Sequence, residues 1–464
     1  MADLREHADL AARLLRRLAE RASFAEAMLQ RAAGETIHID AKSVRASVSP
    51  RLAGLVVRAW AGTHWVEGAA SSFESDAVAR LGDEIAGGLA GAASTSAPPG
   101  ESSTTVGERE TQAHHPMRDV GTEDLIDIGR DLYRWATSVP GIRLAQVGVL
   151  WSDDERLYLN TAGANCRQLV SRPHAYAAPI ATENGQSKVY PIFVGGIGGR
   201  EIVDRLSEGD VATASRAALE LLHAKAPPTG SMNVVLDPGT TATFVHESFG
   251  HGAEADQFVR DRSYLRPLLG QSVGPETLTI VDDGSISDGW GSVYFDDEGH
   301  PGQRTALIDR GRFVGALYDR ESAAMFGAHA TGNTRRSDFL GRTFVRMTNT
   351  LLEPQDWSVE ELVEEARDGV MLEHWVSGVE DPQGGQMQIK VATGHRIENG
   401  RLAERVGSMA LSGKVLHFLR DIRGIGRAQE FGMTPGFCGK GHSDMLPVGD
   451  GGPYLLSRAV IGPA

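Results

Sequence analysis

Glycine interrupts this chain so often that few long elements can survive between its turns. Of 464 residues, 55 are glycine, about 12% against an average near 7%. They are spread along the chain and fall between short runs of β-forming residues. That distribution calls for many tight turns and predicts a β-rich protein with some helices. Proline plus glycine stays near 16%, below the roughly 25% that marks low-complexity disorder. With 41% hydrophobic and 23% charged residues, a sizeable core is within reach.

The formal charge of −15 argues against a nucleic-acid binder and against a polybasic membrane-surface protein. Two cysteines exclude a disulfide scaffold and fit a reducing compartment. The opening residues are charged every few positions, and no window supplies about 18 uninterrupted apolar residues. The expectation is a soluble, cytoplasmic protein with no membrane segment and no nucleic-acid partner.

Hydrophobic periodicity gives a helix over 3–22, then strands over 36–40, 44–48 and 55–60 broken at Gly34, Pro50 and Gly62. Residues 74–90 and 122–135 read as helices. Residues 91–118 carry no periodic apolar face and read as a flexible insertion. Ser152-Asp153-Asp154-Glu155 reads as the turn of a hairpin. Residues 209–224 form another helix, ended by Pro227-Pro228-Thr229-Gly230, which sets a domain boundary near 228. Beyond it come a strand at 232–236, a helix capped by Thr240 or Thr241, and short strands such as 278–281, 291–295, 305–308, 386–391 and 459–461. Helices near 358–368 and 410–422 interrupt them.

Chemistry concentrates in Thr243-Phe244-Val245-His246-Glu247-Ser248-Phe249-Gly250-His251-Gly252-Ala253-Glu254. The familiar zinc-protease pattern puts two histidines four apart on one helix face. Here they are five apart, which on a regular α-helix points the side chains about 140° from each other. Both reach one ion only if the helix widens, as in a π-bulge, or ends near Gly250 and Gly252. Otherwise His246-Glu247 is a surface pair and His251 a cap. Cys438 sits between glycines in Gly436-Phe437-Cys438-Gly439. Two imidazoles and one thiolate leave a fourth zinc position open, the pattern of a catalytic site.

These residues resemble the TldD/PmbA metallopeptidases, also called modulators of DNA gyrase. The resemblance rests on His246-Glu247-x-x-x-His251-Gly252-x-Glu254, Val281-Asp282-Asp283-Gly284, Asp296-Asp297-Glu298-Gly299-x-Pro301-Gly302, Thr331-Gly332-Asn333-x-Arg335-Arg336, Arg346-Met347-Thr348-Asn349-Thr350, Cys438-Gly439-Lys440 and Pro447-Val448-Gly449. It implies an α+β fold: an N-terminal α/β domain (1–228) and a β-rich C-terminal domain (229–464) whose curved sheet carries the HExxxH helix. It implies one Zn2+ per active site, held by His246, His251 and Cys438, with Glu247 as general base toward water. It implies the TldD-like catalytic type, acting on unfolded or extended peptides as a homodimer or as a heterodimer with a PmbA/TldE-like subunit.

Other residues keep two readings each. Glu254 is an acceptor that orients a histidine ring or a solvent-facing helix residue. Arg335, Arg336 and Arg346 are candidates for an oxyanion or substrate carboxylate, or structural partners in an acidic chain. The Asp282-Asp283 and Asp296-Asp297-Glu298 clusters lack calcium-loop spacing and read as strand ends. His442 is the one further histidine near Cys438. Cys166 reads as a buried small residue. Competing functions are a zinc amide hydrolase serving one biosynthetic intermediate and a non-catalytic regulatory subunit.

Overall fold

A computed structural model of the chain describes residues 3–49, 52–90, 97–440 and 445–464. The first half is built on a nine-stranded sheet. Its long members, Ala25–Ile39, Ile142–Asn160 and Asn165–Glu183, lie side by side and antiparallel. Leu52–Trp60 and Trp65–Ala70 extend it on one flank, and Val106–Glu110 on the other. Side chains alternate across a strand, and in the three long strands the alternation divides the labour. Odd-numbered Leu29, Ile37, Val149, Leu157 and Ala177 meet the helices Ala8–Leu18, Ser75–Gly88, Thr122–Ser138 and Glu208–Leu221. Even-numbered Met28, Tyr158 and Cys166 pack on Phe295 and Phe339 of the second half.

That second junction is also charged. Glu26 and Arg58 come from the first half, Glu298 and Arg320 from the second. Arg58 pairs with Glu26 and lies 3.0 Å from Glu298; Arg320 lies 3.3 Å from Glu26 and 3.4 Å from Glu298. Tyr158 donates its hydroxyl to Glu26 at 2.7 Å. All four charged side chains are buried, and alternation of sign is what lets them share one dry box.

In the second half, Gly230–Leu236, Gly369–Asp381, Gln386–Glu398, Met409–Lys414 and Leu455–Pro463 pair in a ring. The ring closes because Gly230–Leu236 bonds both Gly369–Asp381 and Leu455–Pro463. A separate six-stranded sheet runs in the order Arg312–Phe313, Arg304–Asp309, Ile280–Asp283, Asn349–Leu352, Leu446–Gly452, Gly432–Cys438, with the cysteine strand at its edge. The helix Pro238–Val245 lies between barrel and sheet. Phe244 packs on Phe418 at a tilt of 43° with ring centroids 4.3 Å apart, and Phe249 meets Phe313 edge-on at 5.4 Å.

The mixed α+β class and the β-rich second half match the sequence reading; several boundaries do not. Gly34 does not break its strand. It lies inside Ala25–Ile39, where an added Cβ would come 2.4 Å from the Trp151 carbonyl oxygen. Ser152–Glu155 is no turn but the middle of one 19-residue strand. Its acids are held in place: Asp153 by the Ser171 hydroxyl at 2.5 Å, Asp154 by Arg156 at 2.9 Å, Glu155 by Arg167 at 2.7 Å. The segment 91–118 contains the strand Val106–Glu110, parallel to Asn165–Leu169, so it is not all loop; residues 91–96 lie outside the described residues. Residues 291–295 form no strand, and 409–414 is strand before the helix Val415–Arg420 begins. Pro50 lies outside the described residues. Among the described residues no helix is long and apolar enough to cross a membrane.

Candidate metal centre

The helix that carries the motif is capped by Asp237, not by Thr240 or Thr241. Asp237 accepts from the Thr240 amide at 2.7 Å, with Pro238 in the first turn. Proline there forgoes an amide that would have been unpaired anyway. The second Asp237 oxygen accepts from the His374 amide at 2.9 Å and ties the helix to the strand Gly369–Asp381. Both threonines lie buried within the helix.

From His246 to Gly250 the helix opens into a π-turn, followed by a 3-10 turn over His251–Ala253. The wider turn turns the two histidines back toward one side, and their ring centroids lie 5.1 Å apart. Gly250 makes room for this: a Cβ there would sit 2.0 Å from Met347 Sδ. Cys438, at the end of the edge strand, brings Sγ to 3.2 Å from His251 Nε2. One ligand atom from each of His246, His251 and Cys438 falls within 4.8 Å of the others.

Buried carboxylates fix both rings. His246 Nδ1 lies 2.7 Å from Asp450 Oδ1, and His251 Nδ1 lies 3.2 Å from Glu254 Oε2. Nε2 of each ring is left for ligation, the arrangement seen when a carboxylate sets the tautomer of a metal-bound histidine. Glu254 is fully buried, not solvent-facing. Lys440 Nζ donates to Glu254 at 2.8 Å, to Asp256 at 2.7 Å and to the Val345 carbonyl at 2.9 Å. Burial opposes the Glu254 charge, but Lys440 and His251 outweigh it and hold the carboxyl down at about 2.

The cluster is strongly polarised. Burial works against the Cys438 thiolate, yet the two imidazoles bring the thiol down to about 5. Burial likewise disfavours imidazolium, but Glu254 and the Cys438 sulfur lift His251 to about 10, and Asp450 with Cys438 raises His246 well above its usual value. The sulfur and the rings thus reinforce one another's charged forms, with Asp450 and Glu254 adding to the pull on the rings. Glu247 stands beside the cluster, Oε2 4.0 Å from His251 Nε2, and burial pushes its carboxyl upward. Glu380, on the strand Gly369–Asp381, is pushed up to about 9 by burial in the same neighbourhood.

The arginines divide. Arg346 donates to the Cys438 carbonyl, with Nε 3.8 Å from Glu254. Arg335 donates to the Met347 carbonyl at 2.8 Å, and Arg336 reaches Glu67 at 3.2 Å. Asp282 accepts from the Thr348 amide and from the Thr348, Thr350 and Asn333 side chains, a strand-end role. Cys166 is buried. His300, His329, His374, His395 and His417 stand outside the His246–His251–Cys438 group, and His442 lies outside the described residues. The sequence reading missed Asp450, Glu380 and the role of Lys440. Asp450 is an acid inside the run Gly449-Asp450-Gly451-Gly452, but no spacing rule links it to a histidine 204 positions earlier.

The sequence is similar to those of known proteins. Residues 229–461 match the PmbA/TldA metallopeptidase C-terminal domain, and residues 115–224 match the central domain of the same proteins. A metalloprotease of Methanothermobacter thermautotrophicus is 34% identical over 78% of this chain and 79% of its own length. A zinc metalloprotease TldD homolog of Saccharolobus solfataricus is 31% identical over 53% of this chain and 54% of its own. Two crystal structures share the fold: a modulator of a DNA gyrase from Thermotoga maritima (TM-score 0.81, 18% identity, 99% of this chain and all of that one) and TldE from Thermococcus kodakarensis (0.75, 16%, 98% and 99%). The chain belongs to the PmbA/TldD metallopeptidase family.

Proposed function

We propose that this protein hydrolyses peptide bonds in unfolded or extended peptides, with Glu247 as the proton carrier and one zinc ion held by His246, His251 and Cys438. The observation that carries the reading is the convergence of three N/S donors within 4.8 Å, with a carboxylate beside them that is not itself a donor. The donor set fits zinc: two imidazoles whose tautomers are fixed by Asp450 and Glu254, and a thiol already ionised at neutral pH. Zinc, when bound, supplies Lewis acidity toward a carbonyl oxygen and makes water more acidic. Glu247 takes the proton from the attacking water and delivers it to the leaving nitrogen. Its raised carboxyl suits both halves of that transfer.

Substrate shape follows from the strand Gly369–Asp381. Gly230–Leu236 covers its outer edge only to Leu372, and beyond that no strand pairs with it among the described residues. At Gly378 this edge passes so close to Glu247 that a Cβ would lie 2.4 Å from Glu247 Cγ. An extended peptide added along it binds through main-chain hydrogen bonds and crosses the carboxylate. Folded domains cannot offer such a strand. The same reading pairs the chain with a second copy or a PmbA/TldE-like subunit.

The test is a disordered peptide assay with metal analysis. Glu247→Gln should keep its zinc and lose cleavage, while Cys438→Ser should lose zinc as well. Unchanged cleavage by Glu247→Gln, or equal cleavage of folded and disordered substrates of one sequence, overturns the reading.

A further inference from the structure

A cavity of about 310 Å³ lies between the two halves, beside the strand that carries Cys438; Phe437 forms part of its wall. Four arginines line it, and they are not equivalent. Arg156 pairs with Asp154 at 2.9 Å and Asp297 at 2.5 Å, and Arg336 with Glu67 at 3.2 Å. Arg172 bonds only backbone among the described residues: Nε donates to the Trp290 carbonyl at 2.9 Å and Nη2 to that of Ser292 at 2.7 Å. Arg335 likewise donates from Nη1 to the Met347 carbonyl at 2.8 Å. Both side chains are buried, with residue exposures of 6% and 5%.

The acids on the same walls are already engaged. Asp154 accepts from Gln30 and Arg156, Asp297 from Arg156 and the Arg336 amide, Asp296 from the amides of Glu298, His300 and Thr334, and Asp338 from the amides of Leu340 and Gly341. Arg172 and Arg335 are therefore two like charges, out of water, with no carboxylate at ion-pair distance among the described residues; Asp154 favours the Arg172 charge and Asp297 that of Arg335 only from farther off. Burial lowers both, and Arg335 is further lowered to about 9 by Arg172, Arg346 and Arg156. An uncompensated buried charge is costly, and backbone carbonyls return only part of that cost. An anion entering the cavity removes the repulsion, and planar guanidiniums suit a carboxylate's two oxygens.

The neighbourhood says whose carboxylate. Phe437 adjoins the cluster's cysteine, and Arg346 bonds that cysteine's carbonyl. Leu446, the strand partner of Cys438, lines the same cavity; on the peptidase reading, a ligand passing from the cluster around this edge strand is a peptide, whose anionic groups are carboxylates. We infer that Arg172 and Arg335 form a subsite for a carboxylate of the bound peptide, either its C-terminal group or an aspartate or glutamate side chain near the scissile bond. This inference rests on the peptidase reading.

The test uses the full chain carrying Glu247→Gln, so that bound peptide is not consumed. Fluorescence anisotropy follows an extended labelled peptide in three forms: a free C-terminus, a C-terminal amide, and amides with a single glutamate or glutamine moved along the sequence. One carboxylate-bearing form should bind about tenfold more tightly than its uncharged counterpart, and which form does so identifies the source. Arg172→Gln and Arg335→Gln should bring that ratio to near one while leaving the uncharged peptide's affinity within about twofold. Arg335→Lys, which keeps the charge but loses the fork, should fall between and covers the case in which the glutamine variant does not fold. A ratio near one in the parent protein for every peptide overturns the inference, as does a preference that survives both substitutions. Cleavage of neutral peptides with no carboxylate preference removes the subsite alone. A preference that Arg172 and Arg335 carry, in a protein that cleaves no peptide, removes the peptidase reading alone.

Discussion

Gly250→Ala puts the π-turn to its sharpest test. Gly250 has helical backbone angles, φ −57° and ψ −51°, so alanine brings no backbone strain and in isolation stabilises a helix by up to about 1 kcal/mol. Packing works the other way. The new methyl carbon would lie 2.0 Å from Met347 Sδ, 3.2 Å from Cε and 3.4 Å from Cγ. Ordinary contact is about 3.5–4.0 Å, so sulfur and methyl must separate by roughly 1.5–2 Å. Met347 is 1% exposed and has no solvent to move into. Overpacking of this kind costs about 1–3 kcal/mol, so the net effect is a loss of up to about 2 kcal/mol. The displacement is next to His251 and should also weaken metal binding by about tenfold or more. Chemical denaturation with and without zinc, and competition against a chelator, read the two effects separately. A double-mutant cycle identifies the cause: in a Met347→Ala background, Gly250→Ala should cost less than half as much. Wild-type stability and metal affinity in Gly250→Ala would refute the idea that close approach of Met347 to the glycine shapes the turn.

Two further outcomes follow from the cluster. Asp450→Asn keeps an acceptor for His246 Nδ1 but removes the charge, and should lower zinc affinity about tenfold; Asp450→Ala leaves the ring nitrogen unpaired and should cost nearer a hundredfold, both by chelator competition. Metal binding near pH 7 should also release about two protons. His251, lifted to about 10, and His246, shifted in the same direction, are the groups expected to give up protons, while Cys438, lowered to about 5, has little left to give. Affinity should therefore rise with pH, and the His251 contribution should level off above about 10, where that ring is neutral before the metal arrives. Calorimetry in buffers of different ionisation enthalpy measures the count, and release of no proton contradicts the charge state derived for the site.

What was readable in advance was local. Histidines five apart with glycines at 250 and 252 could meet only through a widened turn or a helix end there, and the π-turn over His246–Gly250 is such a turn. The Gly-flanked Cys438 stood out because cysteine is scarce. Long-range pairing was not readable. Asp450 reaches His246 because its strand lies beside the motif helix in space. Ser152–Glu155 looked like a turn because four polar residues in a row usually are one, whereas here Arg156 on the same strand and Ser171 and Arg167 on the next one hold the three acids. Val106–Glu110 showed no alternation because it is exposed along its whole length, so burial left no mark on its sequence.

The charged box at the junction has a consequence for how this molecule comes apart. Arg58 pairs with Glu26 inside the first half and Arg320 with Glu298 inside the second, and the junction adds the crossed contacts Arg58–Glu298 and Arg320–Glu26. A fragment cut near residue 228 would present ions evolved for darkness to open solvent, next to a face bearing Met28 and Tyr158. Multidomain chains often melt in stages; the crossed contacts at this junction should bring both halves down in a single calorimetric peak, and two separate peaks would show that the halves stand alone.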